Sequence, residues 1–235
     1  MKKQELNHSC IKSTWGVLLF SILLLSMLAP YGCKTSPFDG LKEGKVVYDV
    51  TVEGEGMNPM IKAMMPSQVT TYFDNNKTCT VISMGMSMME TRLISDAVDF
   101  KYTTLINAMG RKVAMVLDKK QVDENFSDRV HLKVVHTSET KEIAGVMCRQ
   151  ALITDSTDHT YPVYYTDDLE IASPNWSSPF RDINGLLMEY SIKFGGMVMN
   201  LKAKEIVNTK NDQTFYEIPE GYEIIKDPKD LNFGF

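Results

Sequence analysis

Hydrophobic and polar side chains alternate along most of the chain after residue 45. A period of two is typical of β-strands that bury one face. Asp74-Asn75-Asn76, Gly110 and Gly195-Gly196 are turn residues between such runs, which favours antiparallel hairpins. The pattern predicts about twelve strands, at residues 45–52, 68–73, 78–83, 90–94, 100–108, 112–117, 130–137, 146–154, 160–166, 186–194, 197–207 and 214–217.

Helix signals are few. Asn58-Pro59 predicts an N-cap followed by Pro at the first helical position, and Pro66 ends the segment. Met60 and Met64 fall on one face of this short helix, which we expect to dock on the sheet because six or seven residues are not helical alone. A second short helix is predicted at residues 119–126.

These elements predict a mainly β fold, a curled antiparallel sheet or half-open β-barrel with one or two short helices. Neither an internal repeat nor a linker divides residues 45–235, so we expect one domain there. The 235 residues are 43% hydrophobic, which excludes a disordered tail and a collagen-like repeat. With 25 Lys+Arg against 30 Asp+Glu, the chain lacks the basic surplus of a nonspecific nucleic-acid binder.

The first 32 residues have the features of a secretory signal peptide. Lys2, Lys3 and Lys12 precede 13 uncharged residues at 17–29, a run too short to cross a bilayer core of about 30 Å comfortably. Gly32-Cys33 follows directly, and this end resembles the bacterial lipoprotein signal, or lipobox. The resemblance implies that Cys33 is diacylated and becomes the new N-terminus. Ordinary cleavage with Cys33 as a free thiol, and an uncleaved anchor, are the alternatives.

The lipobox resemblance divides the chain into a signal peptide (1–32), a flexible tether (33–44) and a periplasmic domain (45–235). Two acyl chains would attach the protein stably to a membrane. Loss of three Lys and one Glu leaves 22 basic and 29 acidic side chains in the mature chain, a net charge of −7. We therefore expect an acidic domain held at the cell envelope, on the periplasmic side of the outer membrane.

Two cysteines remain in the mature chain once Cys10 is removed and Cys33 is lipidated: Cys79 and Cys148. In an oxidising compartment they are candidates for a disulfide, which would close a loop of about 70 residues and add roughly 3–4 kcal/mol. Two separate buried thiols are the alternative. Cysteine and histidine residues are not spaced as in a zinc site, and we predict no metal or cofactor.

Four motifs lie in the second half of the chain: the strand K-x-I-A-G-x-x-C at 141–148, an aromatic Y-T-D strand at 164–167, G-L-L-x-E at 185–189 and F-x-x-I-P-x-G-Y at 215–222. Together they resemble a family of uncharacterised Gram-negative envelope lipoproteins. The family is similar to lipoprotein carriers of the LolA-like fold, and Ile183-Asn184-Gly185 matches in part the motif of a related GLPGLI-type group. The resemblance implies a half-open β-barrel with a helical lid over an apolar cavity; the family has no established activity.

Methionine is abundant, with 16 residues. Met84, Met86 and Met88 alternate, so a strand would place all three on one face. Flexible, polarizable thioethers suit a cavity for varied apolar guests, and soft thioethers also bind Cu(I). Ordinary core filling is the third interpretation.

Catalytic motifs are absent from the sequence, which has no G-x-S-x-G, H-E-x-x-H or phosphate-binding loop. His131 and His136 fall on opposite faces of a predicted strand, and Asp155 and Asp158 fall in a predicted turn. We therefore expect a protein without enzymatic activity.

The leading hypothesis is a lipid-anchored protein that binds an acyl chain or another lipid in an apolar cavity. Its lining would be Met60, Met64, Met84, Met86 and Met88. One alternative is a structural or assembly lipoprotein with a packed core, which contacts an envelope protein through the aromatic loop around Trp176. Another is a Cu(I)-binding protein.

Overall fold

Twelve strands form a single sheet in the computed structural model, which describes residues 36–127, 132–194 and 196–226. The predicted signal peptide, Cys33, His131 and the first residues of the predicted strand 130–137 lie outside the described residues. Within the described part, the chain therefore has the mainly β class that the alternating pattern predicts.

The strands are β1 Glu43–Gly54, β2 Gln68–Asp74, β3 Lys77–Met84, β4 Met89–Asp96, β5 Lys101–Ala108, β6 Arg111–Leu117, β7 Lys133–Ile143, β8 Val146–Thr154, β9 Thr160–Thr166, β10 Leu186–Phe194, β11 Met197–Val207 and β12 Glu223–Ile225. The order across the sheet is β12-β6-β5-β4-β3-β2-β1-β11-β10-β9-β8-β7. All neighbouring strands pair antiparallel, except that β12 runs parallel to β6. The sheet curls but does not close among the described residues, because β12 and β7 stay at opposite edges.

Two predicted strands differ from the structure. Residues 214–217 belong to a 3-10 turn, Gln213–Tyr216, because the Asp212 carboxylate accepts the backbone N–H of Thr214 and caps a turn instead. The K-x-I-A-G-x-x-C motif is a hairpin and not one strand. Its Ala144 and Gly145 adopt φ of 51° and 83°, the left-handed conformation of a tight turn between β7 and β8.

The packed part of the chain begins before Lys45, inside the predicted tether. The Gly40 N–H donates to the Asp168 carbonyl at 2.9 Å, and Leu41 forms a parallel bridge with Leu169. Phe38 packs with Leu41 against the main core. Phe38 and Leu41 are apolar and become partly buried on the domain. Removal of their side chains from water explains why this segment lies against the sheet.

The inner face of the sheet carries the main core. Val46, Tyr48 and Phe73 are almost fully buried there with Met188. A second cluster around Ile153 joins it through the partly buried Tyr190 and Ile192. Because β1 pairs with both β2 and β11, its inward side chains connect the two halves of the curl.

The outer face of β3–β6 is covered by the segment that follows β11. Tyr216 packs with Cys79 and Leu105, and Phe215 stacks on Tyr72 with ring centroids 4.4 Å apart. The Asn211 amide Nδ2 donates to the Gly44 and Phe73 carbonyls at 2.9 and 2.8 Å. The apolar F-x-x-I-P-x-G-Y motif therefore covers a third, smaller cluster on the outer face.

Two short helices occur, as predicted. The first, α1 (Pro59–Met64), begins at Asn58, whose Oδ1 accepts the Ile61 N–H at 2.9 Å. Its predicted docked methionine face is wrong: no residue of this described helix is buried, and Met60 is 75% exposed. The second, α2 (Lys119–Ser127), begins with reciprocal hydrogen bonds between Asp118 and Gln121.

Cys79 and Cys148 are free thiols, so the predicted disulfide is wrong and the alternative of two buried thiols is confirmed. Cys79 packs with Leu105 in the outer cluster, whereas Cys148 packs in the main core with Tyr48. Burial raises the pKa of each thiol from 9.0 to about 12. Both are therefore protonated and unreactive near neutral pH.

We expect iodoacetamide to modify Cys79 and Cys148 slowly in the native protein at pH 8 and completely after unfolding. Peptide mapping by mass spectrometry, without reduction, measures both sites; a peptide linked through Cys79 and Cys148 would contradict the structure.

The raised pKa values of the two thiols also predict a contribution to the free energy of unfolding that depends on pH. This contribution is fully present below pH 9 and is lost as the pH rises towards 12, because only the unfolded state readily loses these protons. Urea titrations across this range check the sign.

Candidate functional site

A cavity of about 200 Å³ lies in the curl of the sheet, between its inner face and the loop that joins β9 to β10. Strand residues form its floor, and loop residues cover it. The strand residues are Tyr48, Val69, Thr71, Thr78, Thr80, Ile82, Leu93, Ser95, Tyr102, Leu186, Leu187, Tyr190, Ile192, Met199 and Leu201; the loop residues are Pro174, Asn175, Ser177, Ser178, Pro179 and Phe180.

Small hydroxyl side chains explain why space remains in this part of the core. Thr71 and Thr80 share a hydrogen bond of 2.9 Å between their Oγ1 atoms across β2 and β3. Ser95 on β4 pairs in the same way with Ser177 of the loop, at 2.9 Å between the Oγ atoms. These groups satisfy each other, and they fill less volume than the Leu or Ile that a packed core would have. Each of these four hydroxyl groups therefore takes part in a hydrogen bond at the wall of the cavity.

The cover is the segment 167–185, which we call the lid loop. Asn175 is buried, and its Nδ2 donates to the carbonyls of Ile183 and Gly185, both at 2.8 Å. At Gly185 a Cβ would lie 2.7 Å from the Thr166 carbonyl oxygen, and φ is 141°, so only glycine fits there. The two Asn175 hydrogen bonds, which we call the clamp, and this glycine hold the second half of the lid loop against the start of β10.

Contacts with α2 and the β4–β5 turn hold the middle of the lid loop. Trp176 meets Phe100 edge-to-face, with ring centroids 5.3 Å apart. Lys119 Nζ lies 4.5 Å from the centre of the Phe100 ring, and Arg181 bonds Asp123 at 2.7 Å. Trp176 Nε1 is buried and finds no hydrogen-bond acceptor among the described residues. The aromatic loop therefore packs on the domain, and one of its polar atoms is unsatisfied.

The cavity has no charged wall. Its ionisable lining side chains are tyrosines, and burial raises the pKa of Tyr102 to about 12 and that of Tyr48 and Tyr190 well above 10. Tyr48 donates its hydroxyl to the Leu187 carbonyl at 2.8 Å. All three side chains stay neutral at physiological pH, so the lining offers an apolar guest neutral walls and supplies no acid or base with a pKa near 7.

The five methionines predicted as lining do not border this cavity. Met60 and Met64 lie exposed on α1, Met84 ends β3, and Met86 and Met88 lie in the β3–β4 turn. The predicted strand alternation is wrong here because Gly85, Met86 and Ser87 adopt φ of 59°, 52° and 70° and reverse the chain. The glycine inside the M-G-M-S-M run was the sequence signal for this turn.

The actual lining was not predicted from the sequence. Its signal is a face of alternating small or hydroxyl residues along neighbouring strands, such as Thr78 and Thr80 on β3 with Ser95 on β4. Sequence alone does not show that these strands are adjacent to the lid loop, because residues 95 and 177 are 82 positions apart.

Residues of three motifs meet near the β7 edge of the sheet. Lys141 Nζ bonds both carboxylate oxygens of Glu189 at 2.9 and 2.7 Å and lies 4.8 Å from the centre of the Tyr164 ring. Gln150 donates to the Tyr164 hydroxyl at 2.9 Å. These contacts join β7, β8, β9 and β10, so the motif residues fasten the edge of the sheet.

Polar residues singled out in the sequence form local contacts. The Asp155 carboxylate bonds Lys193 Nζ at 2.6 Å and accepts the N–H groups of Thr157 and His159 in the β8–β9 turn, which together lower its pKa. His136 Nδ1 lies 2.9 Å from the Tyr165 hydroxyl.

Across the described ranges, no group of three His, Cys, Asp or Glu residues could hold a metal ion. No helix in those ranges is long and apolar enough to cross a membrane.

Comparisons with known proteins add little. No family model matches the chain. No curated protein matches it. Fourteen chains of solved structures do match, among them a structure of PNGF-II with a TM-score of 0.48 and 14% sequence identity. That match covers 79% of this chain and 31% of the PNGF-II chain, so this chain spans about a third of that protein's length. At this identity and TM-score the likeness supports no functional argument.

We expect Asn175→Ala to loosen the lid loop, because two buried carbonyls lose their donor at a cost of about 1–3 kcal/mol. Trp176 is the only tryptophan after residue 32, so its fluorescence reports on this loop. Faster acrylamide quenching at low urea is the expected result. Asn184→Ala, at an exposed position of the same loop, is the matched control. Equal quenching in both variants would contradict the clamp.

Proposed function

We propose that this chain is a lipid-anchored envelope protein without enzymatic activity, whose domain shelters an acyl chain or another neutral apolar ligand. The observation that carries the proposal is the covered, uncharged cavity in the curl of the sheet. A neutral apolar guest loses no charge solvation on entering such a site, whereas a charged guest would lose its water without a partner.

Cavity size narrows the ligand. The volume of about 200 Å³ exceeds the roughly 150 Å³ that holds benzene in an engineered protein cavity, and is below the roughly 300–1,000 Å³ of drug-sized ligand sites. The cavity under the lid loop therefore accommodates a short hydrocarbon segment. We expect a longer acyl chain to displace the lid loop. The unsatisfied Trp176 Nε1 supports such movement, since opening would hydrate this atom.

The cavity supports ligand binding over the alternative of an assembly protein with a packed core. That alternative needs the aromatic lid loop as a contact surface, and Phe180 is buried within the loop while Trp176 lies against Phe100. An open lid loop would expose these two aromatic side chains. A protein partner that binds the ligand-bound form through them is therefore compatible with the same proposal.

The anchor is the second part of the proposal. Only Lys34 and Thr35 separate Cys33 from the first described residue, Ser36. We expect Cys33→Ser, expressed in a Gram-negative host, to abolish incorporation of labelled palmitate and to move the protein from the membrane to the soluble periplasmic fraction. The matched control is Cys79→Ser, which alters a buried thiol. Membrane retention of Cys33→Ser would contradict lipidation and favour an uncleaved anchor.

We expect Leu93→Trp to displace the ligand, because the larger side chain at a lining position would fill the cavity. Val116→Trp adds the same side chain on the outer face of β6, where Val116 is 36% exposed, and is the matched control. Native mass spectrometry of the Cys33→Ser protein purified from the periplasm measures the bound ligand.

The parent and Val116→Trp should carry a mass that fragments as lipid, and Leu93→Trp should lose most of it while its circular dichroism stays that of a β protein. Equal loading of both Trp variants would place the ligand elsewhere. A parent protein without bound lipid, even after incubation with fatty acid, would contradict the function.

A further inference from the structure

Exposed methionines gather at one end of the sheet. Three chain segments meet there: α1, the β3–β4 turn and the β5–β6 turn. The Gly85 N–H donates to the Met64 carbonyl at 2.8 Å, and the Met109 N–H donates to the Met88 carbonyl at 3.4 Å. We call this group the methionine tip; it consists of Met60, Met64, Met86, Met88 and Met109.

Two side chains of the methionine tip, those of Met64 and Met88, end at the same place. A Cβ on Gly85 would lie 3.5 Å from Met88 Cε and 3.9 Å from Met64 Cε, so both side chains end beside the same glycine. Met60 lies one helical turn before Met64, on the same face of α1. Met86 borders a hollow of about 460 Å³ that Gly85 and Ala63 also line, between the turn and α1.

Ordinary packing does not explain these side chains. Met60, Met86 and Met109 are 75%, 88% and 79% exposed, so they bury little apolar area. Met86 and Met109 also adopt φ of 52°, a conformation that favours glycine or asparagine over a large apolar residue. The core-filling interpretation of the M-G-M-S-M run therefore fails at this end of the sheet.

We infer that the methionine tip is a binding site for a soft monovalent cation, Cu(I), with Met64, Met88 and Met86 as thioether ligands and Met60 and Met109 beside them. Thioethers are soft neutral donors that select Cu(I) over hard or borderline divalent ions. Met64 and Met88 already converge on Gly85, and flexible methionine side chains can reorient around an ion without moving the backbone. The proposal concerns binding alone, without a change in oxidation state.

The charged residues near the methionine tip are consistent with selectivity for Cu(I) over Zn²⁺. Glu90, the nearest acidic residue along β4, is bonded to Arg92 at 2.8 Å. In the part of the chain that the structure describes, no cluster of His, Cys, Asp or Glu offers a Zn²⁺ site. The methionine tip therefore lacks the ligand set that would retain Zn²⁺ in place of Cu(I).

Met→Leu substitutions separate a metal site from an apolar contact surface, since leucine keeps the apolar side chain and removes the sulfur. The experiment uses the full-length protein with Cys33→Ser, purified and kept anaerobic, with Cu(I) as the probe and a chromogenic Cu(I) chelator as the competitor. The test variant is Met64→Leu/Met88→Leu. The matched control is Met147→Leu, an exposed methionine at the start of β8, far from the methionine tip in the order of strands.

We expect the parent and Met147→Leu to withdraw one equivalent of Cu(I) from the chelator, and the double variant to bind at least tenfold more weakly with its thermal unfolding unchanged. In methyl-¹³C-methionine spectra, Ag(I) should shift the Met64, Met86 and Met88 signals and leave the Met199 signal in the cavity unchanged. Equal affinity of the double variant and the parent would overturn the proposal, as would failure of the parent to compete with the chelator. Excess Zn²⁺ should leave binding unaffected, and displacement by Zn²⁺ would equally overturn it.

Discussion

The need to cover one face of a single open sheet governs this structure. Twelve strands satisfy one another's backbone groups, but no second sheet packs on the inner face among the described residues. That face carries Val46, Tyr48 and Phe73, which water would solvate poorly. Curling the sheet brings part of the face against itself, and irregular chain covers the remainder.

Irregular segments can serve as a cover only if their polar backbone groups are satisfied. The lid loop meets this requirement through the Asn175 amide and the glycine at 185. It also does so by pairing with the N-terminal segment at Gly40 and with Asn75, whose carbonyl accepts the Ala172 N–H. A loop fixed by hydrogen bonds at its ends does not fill space as densely as a second sheet, and the cavity beneath it follows from this.

The two proposed sites lie at different places along the strands. Ser36–Lys42 and the lid loop lie at the end where β1 begins, since Lys42 accepts the Asn75 N–H and β1 pairs there with Asp74. The methionine tip lies at the other end, where Met84 pairs with Met89. β1 spans twelve residues, or roughly 40 Å. If Cys33 carries the anchor, the methionine tip is the end of the domain remote from it and accessible to ions in solution.

Elements with a clear local pattern were predictable. The bounds of β8, β9, β10 and β11 coincide with the predicted runs, because alternation and turn residues act within a few positions. Asn58 predicted the start of α1 because its side chain bonds a backbone N–H three residues away. The sequence did not predict that α1 would leave Met60 exposed, since burial depends on what the neighbouring turns place against a helix.

Local pattern failed where tertiary contacts choose between conformations. The alternation of Met84, Met86 and Met88 fits a strand, but three left-handed residues reverse the chain at Gly85. Cys79 and Cys148 pack in separate clusters because the curl directs their side chains into different cores, a fact that their separation in sequence does not contain. The cavity likewise requires Ser95 to meet Ser177. The sequence by itself determined most of the strands, the Asn58 cap of α1 and the mainly β class; the tertiary structure alone decided which side chains face a common space, because that depends on register, curl and the path of the lid loop.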